Sequence, residues 1–184
     1  MKDSNSWKVL NKRVTYDNAW ISVEHMDVIN PSGNPGIYGK VHFKNLAVGV
    51  IPLDDELNTW IVGQYRFPLD IYSWEIPEGG APSGEDALTC AQRELKEETG
   101  LVASVWKELI TLHTSNSVSD EKAVIYVARK LSMGVSEPED TEDLQVRKLP
   151  FEELFQMTLR GEITDAMSVA AILKLHHLLK ENSF

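Results

Sequence analysis

The chain has 184 residues, of which 42% are hydrophobic and 25% are charged, and its formal net charge is −10. This length suits one domain, or one domain with a short accessory piece, and the composition allows a substantial core. The acidic balance argues against a nucleic-acid-binding protein, because such binding requires a basic surface that replaces the counterions of the phosphates.

Nothing in the sequence has the form of a targeting or membrane-spanning segment. The longest apolar run, residues 46–53, is far shorter than the about 20 residues needed to cross a bilayer. The single cysteine, Cys90, excludes an intramolecular disulfide and is typical of a reducing compartment, so we interpret it as a free structural thiol. We therefore expect a cytoplasmic protein that binds no membrane.

The first part of the chain reads as a small antiparallel sheet. Strands are predicted over residues 7–16, 19–29 and 37–43. A sheet of two or three strands is marginally stable alone, so it must pack on the main domain or on a second subunit. We predict an N-terminal β region at 1–44 and a main domain at 45–184.

The main domain alternates irregularly between strands and helices. Strands are predicted at 46–53, 59–66, 104–113, 122–130 and 146–149, and an extended segment at 67–80. Helices are predicted at 150–160 and 165–180, with apolar faces formed by Phe151, Leu154, Phe155 and Leu159, and by Val169, Ala170, Leu173, His176 and Leu179. This order is typical of an α+β domain rather than of repeated βαβ units.

Residues 79–101 form the most distinctive stretch, a loop followed by a short helix. Ser83 and Asp86 have the spacing of a capping box, and Gly100 stands where a helix would end in the left-handed conformation. Ala87, Ala91 and Leu95 recur every four residues and form one small apolar face.

The same helix concentrates carboxylates on one side. Glu94 and Glu98 are four residues apart and therefore lie one turn apart on one face, which Glu97 borders. Arg93 lies within reach of both Glu85 and Glu97 and offsets some of the repulsion. Two interpretations are open: a solvated acidic surface, or a carboxylate cluster for Mg²⁺, which prefers oxygen ligands.

This stretch resembles the Nudix box, a motif with glycine, arginine and glutamate at fixed spacing. The chain fills each fixed position, with Gly79, Glu85, Arg93, Glu94, Leu95, Glu97, Glu98, Gly100 and Leu101. The resemblance implies a Nudix fold, in which a mixed sheet lies between helices in an α/β/α arrangement, here with an extra N-terminal antiparallel sheet. It also implies an enzyme that uses Mg²⁺, with Mn²⁺ as a possible substitute.

The resemblance extends beyond the box to ADP-ribose pyrophosphatases and other nucleoside diphosphate sugar hydrolases. It implies metal ligation by Glu94, Glu97, Glu98 and the carbonyl of Glu78, and substrate binding by Arg66, Glu75 and Asp140. The catalytic set would be Glu142, as base or as a metal ligand, together with Glu97, Glu98 and Arg93, the last oriented by Glu85. By composition alone the acidic loop that contains Asp140 and Glu142 favours a solvated linker; the resemblance reverses that interpretation.

One departure broadens the implied substrate class. Relatives carry a proline about fifteen residues after the box, where this chain has Ser115, Asn116 and Ser117. The predicted reaction is therefore hydrolysis of the diphosphate bond of nucleoside diphosphate sugars, such as ADP-ribose or GDP-mannose, to a nucleoside monophosphate and a sugar phosphate. The subfamily's exchange of N-terminal strands implies a homodimer.

Two other functions remain open. One is a module that senses ADP-ribose or another nucleotide without cleaving it, and the other is a hydrolase of dinucleotide polyphosphates. The intact carboxylate set speaks against the sensor, because a sensor does not need metal-activating groups. An aromatic side chain could stack on the base, but we expect the candidates to be core residues instead. These candidates are Trp20, Tyr65, Phe67 and Tyr72.

Overall fold

The structure, a computed structural model, describes residues 5–134 and 144–184. The described chain divides into two units: one contains the N-terminal segment up to Asn45 together with His113–Glu121, and the other contains Leu46–Leu112 and Lys122–Phe184. The predicted boundary between residues 44 and 45 stays a prediction, because this division does not test whether either part folds alone.

The first unit contains an antiparallel sheet in the order β1 (Lys8–Asp17), β2 (Ile21–Ile29) and β3 (Pro35–Phe43). The segment His113–Glu121 joins it through Val41, whose N–H donates to the carbonyl of Val118 at 2.8 Å. Asp120 binds Lys40 at 3.0 Å and the His42 ring at 2.7 Å. The predicted N-terminal sheet is confirmed.

The second unit contains two sheets and three helices. The elements are β4 (Leu46–Pro52), β5 (Asn58–Arg66), β6 (Ile71–Glu75), β7 (Glu78–Ala81), α1 (Ala87–Thr99), β8 (Leu101–His113), β9 (Lys122–Met133), β10 (Gln145–Pro150), α2 (Phe151–Leu159) and α3 (Ala166–Lys180). One sheet has the order β7-β4-β9-β8, with β4 antiparallel to β7 and parallel to β9. The other has the order β10-β5-β6 and is antiparallel.

Alternation along β4 places helices on both faces of the four-stranded sheet. Val48 and Val50 pack in a cluster with residues of α1, whereas Ile51 packs in a cluster with residues of α2 and α3. Successive side chains of a strand point to opposite faces, so one buried apolar strand serves both clusters. The predicted α+β class, a mixed sheet between helices, is confirmed.

The sequence predicted the C-terminal end of α1 correctly but not its N-terminal cap. Gly100 ends the helix at φ 72° and its N–H donates to the carbonyl of Lys96, as predicted. The predicted N-terminal box at Ser83 is wrong, because the cap is Asp86, whose carboxylate accepts from the N–H groups of Leu88 and Thr89. Ser83 lies in a turn before the helix. A carboxylate at the cap also complements the positive end of the helix dipole.

The apolar faces of the last two helices were only partly predicted. In α2 the buried residues are Phe151, Leu154, Met157 and Thr158, whereas the predicted Leu159 is exposed. In α3 the buried residues are Met167, Ser168, Ala171, Ile172 and Leu175, so the predicted face is wrong. The helix is apolar on more than one side, and the neighbouring elements select the side that is buried.

The segment at 67–80 was predicted as one extended piece and is instead a turn followed by β6 and β7. The turn includes Asp70, which adopts φ 57°. In the described part of the chain, none of the helices combines the length and apolarity needed to span a bilayer.

Candidate active site

The site is built where α1 packs against residues 75–79, which comprise the end of β6, the short connection and the start of β7 and are called here the 75–79 segment. The N–H of Glu78 donates to Glu98 Oε2 at 3.0 Å. Gly79 lies so close to Glu94 that a Cβ on this glycine would be 2.0 Å from Oε1 of the carboxylate. Both carboxylates of the predicted helix face therefore lie against the backbone of one segment.

These two carboxylates are buried rather than solvated. The exposed fraction is 9% for Glu94 and 2% for Glu98. Acidic residues are almost never buried to this extent unless they are paired or bind a cation. Of the two open interpretations of the helix, the solvated acidic surface is wrong for Glu94 and Glu98.

Arg93 holds the outer carboxylates of the helix. Its guanidinium binds Glu97 at 2.8 Å and Glu94 at 2.8 Å, and it binds both oxygens of Glu85 at 3.2 and 3.1 Å. It also donates to the carbonyl of Gly80 at 3.3 Å. These contacts match the predicted role of Glu85, which is to orient Arg93, and they offset the repulsion between the carboxylates.

Arg66 makes a second buried ion-pair network beside the first. Its Nε donates to both oxygens of Glu75 at 3.0 Å, and its Nη2 binds Glu75 and, at 2.7 Å, Glu78. Glu75 is 3% exposed. Arg66 and Glu75, both predicted to contact the substrate, thus pair with each other. This bidentate ion pair holds the part of the 75–79 segment that carries Glu75.

Negative charge accumulates around Glu78. Burial raises the pKa of this carboxyl well above its ordinary range, and the charges of Asp165, Glu75 and Glu98 raise it further against the effect of Arg66. Its Oε2 is buried and has no hydrogen-bond partner among the described residues. A concentration of oxygen donors with surplus negative charge is the environment that a hard divalent cation relieves.

The oxygen donors of these residues are therefore of the type that binds a divalent cation, but their side chains are not grouped around one common point. Within residues 5–134 and 144–184, no group of three or more His, Cys, Asp or Glu side chains is arranged to hold a metal ion. Arg93 instead pairs with Glu94 and Glu97, and Arg66 pairs with Glu78. The predicted ligand set stays a prediction.

Cys90 is a buried free cysteine on α1, as expected. Burial, together with the charge of Glu94, raises the pKa of its thiol to about 12. The thiol therefore stays protonated at neutral pH and serves packing rather than nucleophilic chemistry.

Two predicted site residues, Asp140 and Glu142, lie outside the described residues. The aromatic side chains that we expected in the core are all exposed, and this prediction is wrong: Trp20, Tyr65, Phe67 and Tyr72. Strand alternation predicts two faces but does not tell which of them is covered.

The sequence analysis assigned no function to two residues at the start of α3, which contact the 75–79 segment or the residue that does so. Ser168 Oγ accepts a hydrogen bond from the N–H of Ile76 at 3.0 Å, and Asp165 caps the helix by accepting from the N–H of Ser168 at 2.7 Å. The sequence predicted a helix at 165–180, but its apolar pattern assigned no role to either residue.

A mixed sheet between helices, with buried glutamates of one helix packed against the backbone of a neighbouring segment, is the feature by which the class of this protein can be recognised. The sequence matches the NUDIX domain family over residues 43–170 and the nucleoside diphosphate sugar hydrolase N-terminal domain over residues 7–41. The chain belongs to the Nudix hydrolase family, whose members generally use divalent metal ions. The predicted resemblance is confirmed.

Relatives and solved structures agree with this assignment. The chain is 37% identical over 134 residues to the ADP-ribose pyrophosphatase of Mycobacterium tuberculosis, covering 71% of this chain and 64% of that protein. It is 34% identical over 128 residues to the ADP-ribose pyrophosphatase of Bacillus subtilis, covering 68% and 69%. The chain thus spans about two thirds of the length of these relatives.

A crystal structure of an ADP compounds hydrolase superposes with a TM-score of 0.87, at 23% identity, and covers 99% of this chain and 98% of that one. At this identity the likeness concerns the fold. It confirms the predicted Nudix fold with its additional N-terminal antiparallel sheet.

Proposed function

We propose that the protein hydrolyses the diphosphate bond of ADP-ribose and related nucleoside diphosphate sugars. Water adds to one phosphorus, the bridging P–O bond breaks, and a nucleoside monophosphate and a sugar phosphate leave. The observation that carries the proposal is the packing of buried Glu94 and Glu98 against the backbone of Glu78 and Gly79, beside the Arg66–Glu75 pair. The names of two relatives support ADP-ribose as the first substrate to test.

We propose Mg²⁺ as the cation, with Mn²⁺ as a substitute, held by Glu94, Glu97, Glu98 and the carbonyl of Glu78. When bound, such ions neutralise the diphosphate and activate water. The chain's own residues supply the frame: Glu85 anchors Arg93, and Arg93 in turn holds Glu97 beside the site. Glu98 accepts from the N–H of Glu78, which fixes the helix to the segment.

Arg66 and Glu75 supply the proposed contact with the substrate. Arg66 is about one third exposed, so one edge of its guanidinium is accessible to an anionic or hydroxylated ligand. Because Glu75 already binds Nε and Nη2, the guanidinium is held in one orientation before any ligand arrives. We propose Glu142 as the base that accepts the proton from water, with Asp140 near the substrate; both lie outside the described residues.

The direct test is a panel of diphosphates incubated with the purified protein and Mg²⁺, with products separated by chromatography and identified by mass. The panel contains ADP-ribose, GDP-mannose, UDP-glucose, diadenosine polyphosphates and ATP. Formation of AMP and ribose 5-phosphate supports the proposal. Preferential cleavage of diadenosine polyphosphates would assign the alternative hydrolase, and binding of ADP-ribose without turnover would assign the sensor.

A substitution separates the metal role of Glu98 from its structural role. In Glu98→Gln the amide oxygen can still accept from the N–H of Glu78, so we expect normal folding and loss of most turnover. Glu108→Gln, at an exposed position of β8, is the matched control and should leave turnover unchanged. Turnover of Glu98→Gln near that of the control would refute the metal assignment.

We also propose a homodimer formed through the N-terminal region. All ten residues of β1 are exposed, among them Val9, Leu10, Val14 and Tyr16. A strand exposed along its length with several large apolar side chains is typical of an interaction surface. Light scattering at micromolar concentration tests the proposal, and a monomeric mass would refute it. The cytoplasmic location stays a prediction that cell fractionation can test.

A further inference from the structure

The first turn of α3 contacts the 75–79 segment of the proposed site through the hydroxyl of Ser168. Ser168 is completely buried, and its Oγ accepts from the N–H of Ile76 at 3.0 Å. Ile76 lies one residue beyond β6, where the ladder with β5 has already ended at Glu75. The hydroxyl therefore satisfies a buried backbone donor that the sheet leaves without a strand partner.

The same short segment is held from two further directions. The N–H of Val50, on β4, donates to the carbonyl of Pro77 at 2.8 Å. The N–H of Glu78 donates to Glu98 of α1 at 3.0 Å. Three consecutive residues, 76, 77 and 78, are thus each fixed to a different element of the second unit.

Side-chain packing locks α3 to the segment at the same place. A Cβ on Gly49 would be 2.9 Å from Ile76 Cδ1 and 3.3 Å from Met167 Cε, so this glycine leaves the space that both side chains fill. Asp165 caps the helix through the N–H of Ser168, which restricts the turn that carries the hydroxyl. The Ser168 contact therefore joins rigid elements rather than mobile loops.

We propose that Ser168 is a positioning residue: its hydroxyl holds the 75–79 segment in the register at which Glu78 and Gly79 meet the carboxylates of α1. Resting on the proposed function, this predicts that Ser168 sets cation affinity and turnover without touching substrate or metal. Misplacement of reacting groups by about 1 Å can cost on the order of 100-fold in rate. Loss of one of three fixing contacts should cost roughly tenfold.

The test compares Ser168→Ala with Thr158→Val. Thr158 also carries a buried hydroxyl, but its Oγ1 donates to the carbonyl of Leu154 within α2 rather than binding the segment. The first readout is amide hydrogen exchange at Ile76, measured by NMR on protein without metal or substrate. Ser168→Ala should exchange at least about tenfold faster than Thr158→Val at this amide.

The second readout is binding of Mn²⁺, followed by electron paramagnetic resonance, and the third is turnover of ADP-ribose. Ser168→Ala should raise the dissociation constant for Mn²⁺ and lower kcat about tenfold, with a smaller change in KM. If Ser168→Ala does not fold, Ser168→Cys, which has similar volume and a weak acceptor, takes its place with the same expectations.

Equal Ile76 exchange in Ser168→Ala and Thr158→Val would overturn the proposal, as would an unchanged dissociation constant for Mn²⁺. The exchange measurement needs neither substrate nor metal. If wild-type protein hydrolyses no diphosphate, the proposed function fails while the exchange at Ile76 still decides whether Ser168 holds the segment.

Discussion

Gly79→Ala is the sharpest perturbation that the structure suggests, because one methyl group would occupy the space of a proposed metal ligand. The added Cβ would lie 2.0 Å from Glu94 Oε1, 2.1 Å from Cδ and 2.5 Å from Oε2. Ordinary contacts of this kind begin at 3.4 Å, so the carboxylate must move by about 1.4 Å. The carboxylate cannot move freely, because Glu94 is 9% exposed and Arg93 binds it at 2.8 Å.

The displacement should reduce both activity and stability, by similar free energies. A shift of about 1 Å in a reacting group can reduce the rate on the order of 100-fold, which corresponds to about 2.7 kcal/mol in the barrier. Overpacking of one methyl group costs about 1–3 kcal/mol in the free energy of unfolding. We therefore expect a loss of about 100-fold in kcat and a decrease of about 2–12 °C in melting temperature.

The assay measures kcat for ADP-ribose across a Mg²⁺ titration, together with thermal unfolding. Gly39→Ala is the matched control, because Gly39 also lies in a strand and a Cβ there would meet no atom within 4 Å. The control should retain wild-type turnover and Mg²⁺ dependence. If Gly79→Ala also retains both, the contact between Gly79 and Glu94 does not define the site.

The other predictions concern acid stability and the exposed aromatic side chains. Burial alone would raise the pKa of Asp120, but hydrogen bonds with the His42 ring, Lys40 and the N–H of Phe43 outweigh it and hold this pKa at about 2. Because the ordinary value is 3.8, the stabilisation is present above about pH 4 and is lost as the pH falls towards 2; Asp120→Asn should flatten this part of the unfolding profile, and an unchanged profile would contradict the assignment. Phe67 is 88% exposed, so Phe67→Ala should change the free energy of unfolding by less than about 0.5 kcal/mol, whereas Phe151→Ala, at a core position, should cost about 3–5 kcal/mol in chemical denaturation. A large, concentration-dependent loss in Phe67→Ala would instead show that this side chain is covered in an assembly.

Local signals in the sequence predicted most elements because their causes are local. The position of Gly100 was readable, since only a residue tolerant of positive φ suits that end of the helix. The spacing of Glu94 and Glu98 likewise predicted that they lie on one face of the helix, because helical periodicity does not depend on the surroundings. The beginning of α1 was missed, since Ser83 and Asp86 are both good caps and only the path of the preceding turn selects Asp86.

Burial was the property that local patterns predicted worst. The spacing of apolar residues in α3 allowed more than one buried face, and the chosen face contains Ser168, a polar residue that no hydrophobic pattern would select. Tyr65 and Phe67 were expected in the core, yet both are exposed. Which side of an element is covered depends on its neighbours, and those neighbours are distant in sequence.

The sequence by itself determined which groups are available to this protein: a helix that carries Glu94, Glu97 and Glu98 on one side, next to Arg93, in a chain of the Nudix family. Helical and strand periodicities act over a few residues, so such patterns can be read directly. Only the tertiary structure decided what these carboxylates contact. The closeness of Gly79 to Glu94 and the bond from Ile76 to Ser168, 92 residues further along the chain, depend on how β7, α1 and α3 pack, which no local pattern encodes.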